Sequence, residues 1–156
     1  RNEARKEWLE SHKKSLNSFN KEDHEEIIER INLLLDKLND DKGGVSVGDE
    51  FNKVMQEVVR VLSAGSSEDE LHTISNLALL SHAKNAALNN STFDVKRNKI
   101  LEMDKTVDYI PICTRHVFLK YYTPSEHNQL HFWSEDDRKA YLSAIQNTLK
   151  KYLPNK

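Results

Sequence analysis

Only one of the 156 residues is a cysteine, Cys113, so no internal disulfide framework can form. That usage fits a reducing compartment, and the expected location is cytoplasmic. Cys113 also lacks partners at zinc spacing, which argues against a structural zinc site. Glycine (four) and proline (three) are scarce, which excludes a turn-dense all-β sandwich. No apolar run approaches the roughly 18 residues of a membrane span, so no membrane partner is expected. No stretch reads as a signal peptide. The first residue is Arg1 rather than Met, and the expectation is a fragment of a longer protein.

What remains is a chain with 37% hydrophobic and 31% charged residues, long enough for one domain with a core of its own. Its net charge of −2 hides an asymmetry. Residues 1–80 carry 11 Lys+Arg against 17 Asp+Glu, a balance of −6. Residues 81–156 carry 12 against 8, a balance of +4. An anionic partner should therefore meet the second half. The excess there is modest: residues 82–123 hold seven Lys+Arg against four acids.

Periodicity predicts helices. Ala4, Trp8, His12 and Leu16 recur every four residues, with Leu9 beside them, over about 2–17. Ile27, Ile31, Leu34 and Leu38 make a second stripe, which should stop at Gly43 and Gly44. Phe51, Val54, Met55, Val58 and Leu62 make a third, ending before "AGSSEDE". The acidic run at residues 22–29 reads as a solvated face. "HTISNLALL" is too short and apolar to assign; it is a small strand or the start of a helix. "SHAKNAAL" and "FDVKRNKILEMD" read as short helices, separated by a break at "NNSTF". Pro111 pushes Ile110 into an extended conformation, after which a helix should run through Val117, Leu119 and Tyr121. Phe118, Tyr121 and Tyr122 read as core aromatics rather than platforms for nucleobases. The last helix should start at "SEDD", with Ser134 as N-cap and Asp137 closing a capping box. It should bury Tyr141, Ala144, Ile145, Thr148, Leu149 and Tyr152.

One stretch resists this reading. Residues 74–97, "ISNLALLSHAKNAALNNSTFDVKR", hold four asparagines: Asn76, Asn85, Asn89 and Asn90. Asn is a poor helix former because its amide competes for the backbone. Taken alone, Asn76 reads as a buried cap, Asn85 as a helix-surface residue, and Asn89 and Asn90 as turn residues. His72, His82 and His116 read as satisfied or exposed histidines.

Asn76 and Asn85, nine positions apart as N-L-x-x-L-x-x-x-x-N, resemble the second half of an HNH nuclease motif. The longer pattern adds "YIPICTRHVFLKYY", a Trp and "DDRKAYLSAIQNTLKKYL". From about His72 to Leu153 it is similar to the C-terminal HNH domain of GmrSD-type restriction proteins, in which a ParB-like nucleotide-hydrolysing domain comes first. The resemblance implies a metal-dependent endonuclease acting on foreign or modified DNA. It implies a mainly α fold: a helical domain with a small ββα-metal element, or only its second half. Residues 1–70 would be a helical insertion, and residues 71–156 the C-terminal part of the nuclease domain.

By the same resemblance, Asn76 belongs to the catalytic loop and Asn85 is a metal ligand whose amide oxygen suits a hard cation such as Mg²⁺. Lys96 and Arg97 match a basic pair after the helix and would contact DNA phosphates, with Lys84 and Lys99 beside them. The implied partners are DNA and the ParB-like domain. The family's general-base His sits in an acidic-His-Ile stretch that residues 1–70 do not contain; His12 and His24 lie on predicted helices. The expectation is a base located before Arg1 and a fragment inactive alone. The alternative is a non-catalytic helical interaction module in which the asparagines are structural.

Overall fold

The computed structural model describes residues 2–20, 22–40, 45–63, 72–88, 90–106, 109–127 and 129–152. They form seven α-helices: α1 (Asn2–Asn20), α2 (Glu25–Asn39), α3 (Val45–Leu62), α4 (His82–Leu88), α5 (Phe93–Asp104), α6 (Ile112–Phe118) and α7 (Glu135–Leu149). The expected helix stops at Gly43–Gly44 and "AGSSEDE", and the turn role of Asn89, lie outside the described residues. The mainly α expectation holds, and no strand occurs among the described residues. The stretch left open between strand and helix is neither. Ile74–Asn76 is a single 3₁₀ turn, and residues 77–80 run extended without a paired neighbour among the described residues.

Helices α1–α3 pack their predicted stripes together. Leu9, Leu16, Ile31, Leu34, Val58 and Leu62 are buried in one cluster. On α1 the buried face also takes His12 and Ser15. A second, smaller cluster joins Leu88, Ile100, Ile110 and Phe118. Ile110 is buried just before α6.

Polar contacts tie the two clusters. The buried His12 ring stacks on Trp8, with centroids 3.7 Å apart. Its Nδ1 lies 2.8 Å from the Trp8 carbonyl, and the Thr92 N–H donates to its Nε2 over 3.2 Å. This pair of contacts requires the neutral ring with the proton on Nδ1. Nearby, Ser15 Oγ donates to Asp94 Oδ2 over 2.5 Å. Trp8 Nε1 donates to the Asn90 carbonyl over 3.4 Å. All three contacts converge on the entry to α5.

A second buried polar knot holds α6 to α7. Lys120 Nζ donates to Asp137 Oδ2 over 2.7 Å and to the Phe132 carbonyl over 2.6 Å, with both side chains of the ion pair fully buried. Asp137 also accepts from the Ser134 backbone N–H and from Thr123 Oγ1, so the expected capping box is present. Lys120 has φ 53°, in the left-handed region. It closes α6: the Tyr121 N–H reaches back to the His116 carbonyl and the Lys120 N–H to the Val117 carbonyl. Glycine would suit this backbone better. Lysine stands there because Asp137 needs its charge.

Two burial expectations fail. Leu149 and Tyr152 are 47% and 72% exposed, because α7 buries only Asp137 and Arg138 near its start and loses cover along its length. Thr148 is exposed too. Tyr121 is 70% exposed, because α6 ends at Phe118 and the left-handed Lys120 turns the chain away. Tyr122 is half-buried, stacked on Tyr141, and only Phe118 of that trio is core.

The polar knots make two predictions. Burial pushes the His12 pKa down from 6.5 to about 4. The unfolded chain then binds more protons between those values, so stability should drop as pH falls from 6.5 towards 4, by roughly 3 kcal/mol in all. Urea unfolding across that range should show it, and His12→Gln should flatten the dependence. Lys120→Gly should destabilise by roughly 3 kcal/mol despite the better backbone fit, since Asp137 is left buried without its counter-charge. A gain in melting temperature for Lys120→Gly would contradict this account.

Candidate functional site

Between α3, the 75–80 segment, α4, α5 and the start of α7 lies a cavity of about 420 Å³. That is within the usual size of small-ligand sites, roughly 300–1,000 Å³. Its frame is built from local constraints already described. Trp133 Nε1 donates to the Ser75 carbonyl over 2.9 Å and holds the 3₁₀ turn. Thr114 Oγ1 donates to the Leu79 carbonyl over 2.5 Å and holds the extended segment against α6. The His12–Thr92 bond sets where α5 begins.

Asn76 and Asn85 both line this cavity, and Lys96 lines it too. Asn76 ends the 3₁₀ turn and is half-buried; Asn85 sits exposed on the short α4, whose N-terminus is backed by Ser81. The side chain of Asn85 has no hydrogen-bond partner among the described residues. Asn90, just before α5, also lines the cavity.

The four basic residues singled out from the sequence go different ways. Arg97 Nε donates over 3.0 Å to the Phe118 carbonyl at the end of α6, where a cation also meets the negative end of the helix dipole. Lys99 pairs with Glu7 at 2.9 Å and reaches the Ala87 carbonyl at 3.4 Å. Lys84 Nζ donates to the Tyr109 carbonyl over 2.9 Å. Lys96 differs: half-buried on the second turn of α5, its ammonium has no carboxylate or hydrogen-bond acceptor among the described residues. Burial alone holds its pKa below the ordinary lysine value. The pattern "KR" cannot separate the two residues. Neighbours on a helix are rotated by about 100°, so one faces the cavity and the other the end of α6.

Three further residues of the cavity wall were not singled out from the sequence. Arg138 is buried and donates to the Trp133 carbonyl over 3.1 Å. Trp133 stacks with Phe93, centroids 5.6 Å apart. Thr92, the N-cap of α5, is 6% exposed, and its Oγ1 is buried without a hydrogen-bond partner among the described residues. A threonine ahead of "FDVKR" is a cap signal that was available; burial of its hydroxyl was not.

Among the described residues, the wall carries no Asp, Glu or His, but it does carry Lys96 and Arg138. Among the described residues no cluster of three or more His, Cys, Asp or Glu could hold a metal. Mg²⁺ takes hard oxygens with carboxylate charge and ideal octahedral geometry. Two neutral amides beside two cations do not meet that need, so these residues do not by themselves fit a divalent metal.

No protein-family model matches the chain, and neither the curated proteins nor the solved structures offer a match. Among the described residues, no helix is long and apolar enough to cross a membrane.

Adjacent substitutions should separate the two basic roles. Arg97→Met removes a charge-assisted bond to a helix end and should cost about 1.5–3 kcal/mol. Lys96→Met removes a partly desolvated, unpaired charge and should leave stability unchanged or raised. Melting temperatures of the two variants check this directly.

Proposed function

We propose that this chain is the C-terminal part of an HNH-like DNA endonuclease domain from a bacterial defence protein, and that it contributes a half-site rather than a complete catalytic centre. The observation that supports this reading is the meeting of Asn76 and Asn85, nine positions apart, on one cavity wall with Lys96. In this reading residues 1–70 are a helical insertion and residues 71–156 complete the nuclease domain. The general-base His and the charged metal ligands come from outside the described residues, and a ParB-like domain accompanies the nuclease. The two asparagines position backbone and substrate, and the basic second half faces DNA.

A second reading, the non-catalytic interaction module, draws on the exposed apolar side chains around the same segment. Ile74, Leu77 and Leu79 are 57%, 53% and 71% exposed, with Ile112 at 65%. Clustered exposed apolar residues mark docking surfaces.

Asn85→Ala in the full-length protein discriminates between the two. The nuclease reading expects DNA cleavage to be lost with the melting temperature unchanged or slightly raised, since alanine at an exposed helix position adds a few tenths of a kcal/mol, roughly. Cleavage at the wild-type rate in that variant would sink the assigned role.

A further inference from the structure

The cavity holds an imbalance of charge. Among the described residues its wall holds no acid; of its two cations, Arg138 is engaged in contacts of its own and Lys96 is not. Lys96 is half-buried with no partner among the described residues. A positive charge is placed in partial desolvation only at a free-energy cost, which an anion entering the cavity would offset. The Thr92 hydroxyl at the same wall is buried and unpartnered, although buried hydroxyls are nearly always hydrogen-bonded. Part of the wall is apolar, with Leu62, Leu88, Val117 and Phe118. The side chains of Asn85 and Asn90 add amides with no hydrogen-bond partner among the described residues. The volume of about 420 Å³ exceeds what a bare inorganic ion fills.

We propose that this cavity is a binding site for a nucleoside monophosphate, with the phosphate at Lys96 and the nucleoside against the apolar wall and the asparagine amides. The arrangement suits such a ligand in each part. A lysine ammonium is a point charge suited to phosphate. Amides that both donate and accept can read the polar edge of a base. The apolar wall takes its face. A simple carboxylate metabolite would leave the amides without partners, and an uncharged nucleoside would leave Lys96 without one. The proposal stands independently of the nuclease reading: it concerns the ligand of the cavity, and neither a metal nor a general base enters it.

The same chemistry has two sources, a free nucleotide and the phosphorylated end of a nucleic-acid strand, and the test separates them. The chain is titrated with the four common nucleoside 5′-monophosphates, the matching nucleosides, inorganic phosphate, and a single-stranded trinucleotide with and without a 5′-phosphate. Calorimetry gives affinity, and backbone amide NMR gives location. At least one monophosphate should bind at least about tenfold more tightly than its nucleoside and than inorganic phosphate, the difference expected for one charge-assisted contact plus an apolar one. Shifts should centre on residues 85, 92 and 96. Lys96→Met should weaken binding about tenfold or more, while Lys37→Met, at a surface ion pair with Glu50, should leave it unchanged. Tighter binding of the 5′-phosphorylated trinucleotide assigns the site to a strand end, and weaker binding to the free nucleotide. No saturable binding below about 10 mM, equal binding of nucleosides, or shifts centred elsewhere in the wild type would each overturn the proposal, whatever the variants do.

Discussion

The contact between His12 and the Thr92 N–H is the constraint from which the site follows. One buried neutral imidazole accepts from the backbone that begins α5 and is fixed at its other nitrogen by the Trp8 carbonyl. This joins a helix of the first cluster to the chain entry of the second across 80 residues of sequence. Ser15–Asp94 and Trp8–Asn90 reinforce the same junction. With the start of α5 held there, Lys96 one turn later lies at the cavity wall and Arg97 at the end of α6. A histidine with this role must stay uncharged, because a proton on Nε2 would confront the amide it now accepts from.

The far side of the cavity depends on a different kind of contact. Lys120 and Asp137 are both fully buried, and a buried ion pair stabilises little unless each remaining hydrogen-bonding position is filled. Here the Phe132 carbonyl, Thr123, and the Ser134 backbone and hydroxyl fill them. The network therefore sets direction more than strength. It turns the chain out of α6 through a left-handed lysine and aims the first turn of α7, with Arg138, at the cavity. Trp133, one residue before the Ser134 cap, reaches back to Ser75 and closes the frame.

Between these two polar anchors lies a space whose described lining holds cations and no acid. Several basic residues elsewhere in the molecule are neutralised by contacts within the chain: Lys99 by Glu7, Lys37 by Glu50, Arg115 by Asp104. Lys96 is the exception among the residues considered for the site. A half-buried charge with no partner among the described residues, on the same wall as the Thr92 hydroxyl, does not serve folding, and its position on a rigid helix makes it a pre-organised contact for a ligand.

The sequence by itself determined the helices. Its 3.6-residue stripes on α1, α2 and α3 and the capping box at Ser134 are local signals, each carried by residues a few positions apart, and each is present in the structure. The nine-residue spacing of Asn76 and Asn85 was legible in the same way. What only the tertiary structure decided is which polar groups meet. His12 with Thr92, Lys120 with Asp137, and Arg97 with Phe118 depend on chain segments whose separation in sequence carries no periodic signal. For the same reason the apolar residues late in α7 looked like core and are exposed: periodicity says which face is apolar, and only packing says whether anything covers it.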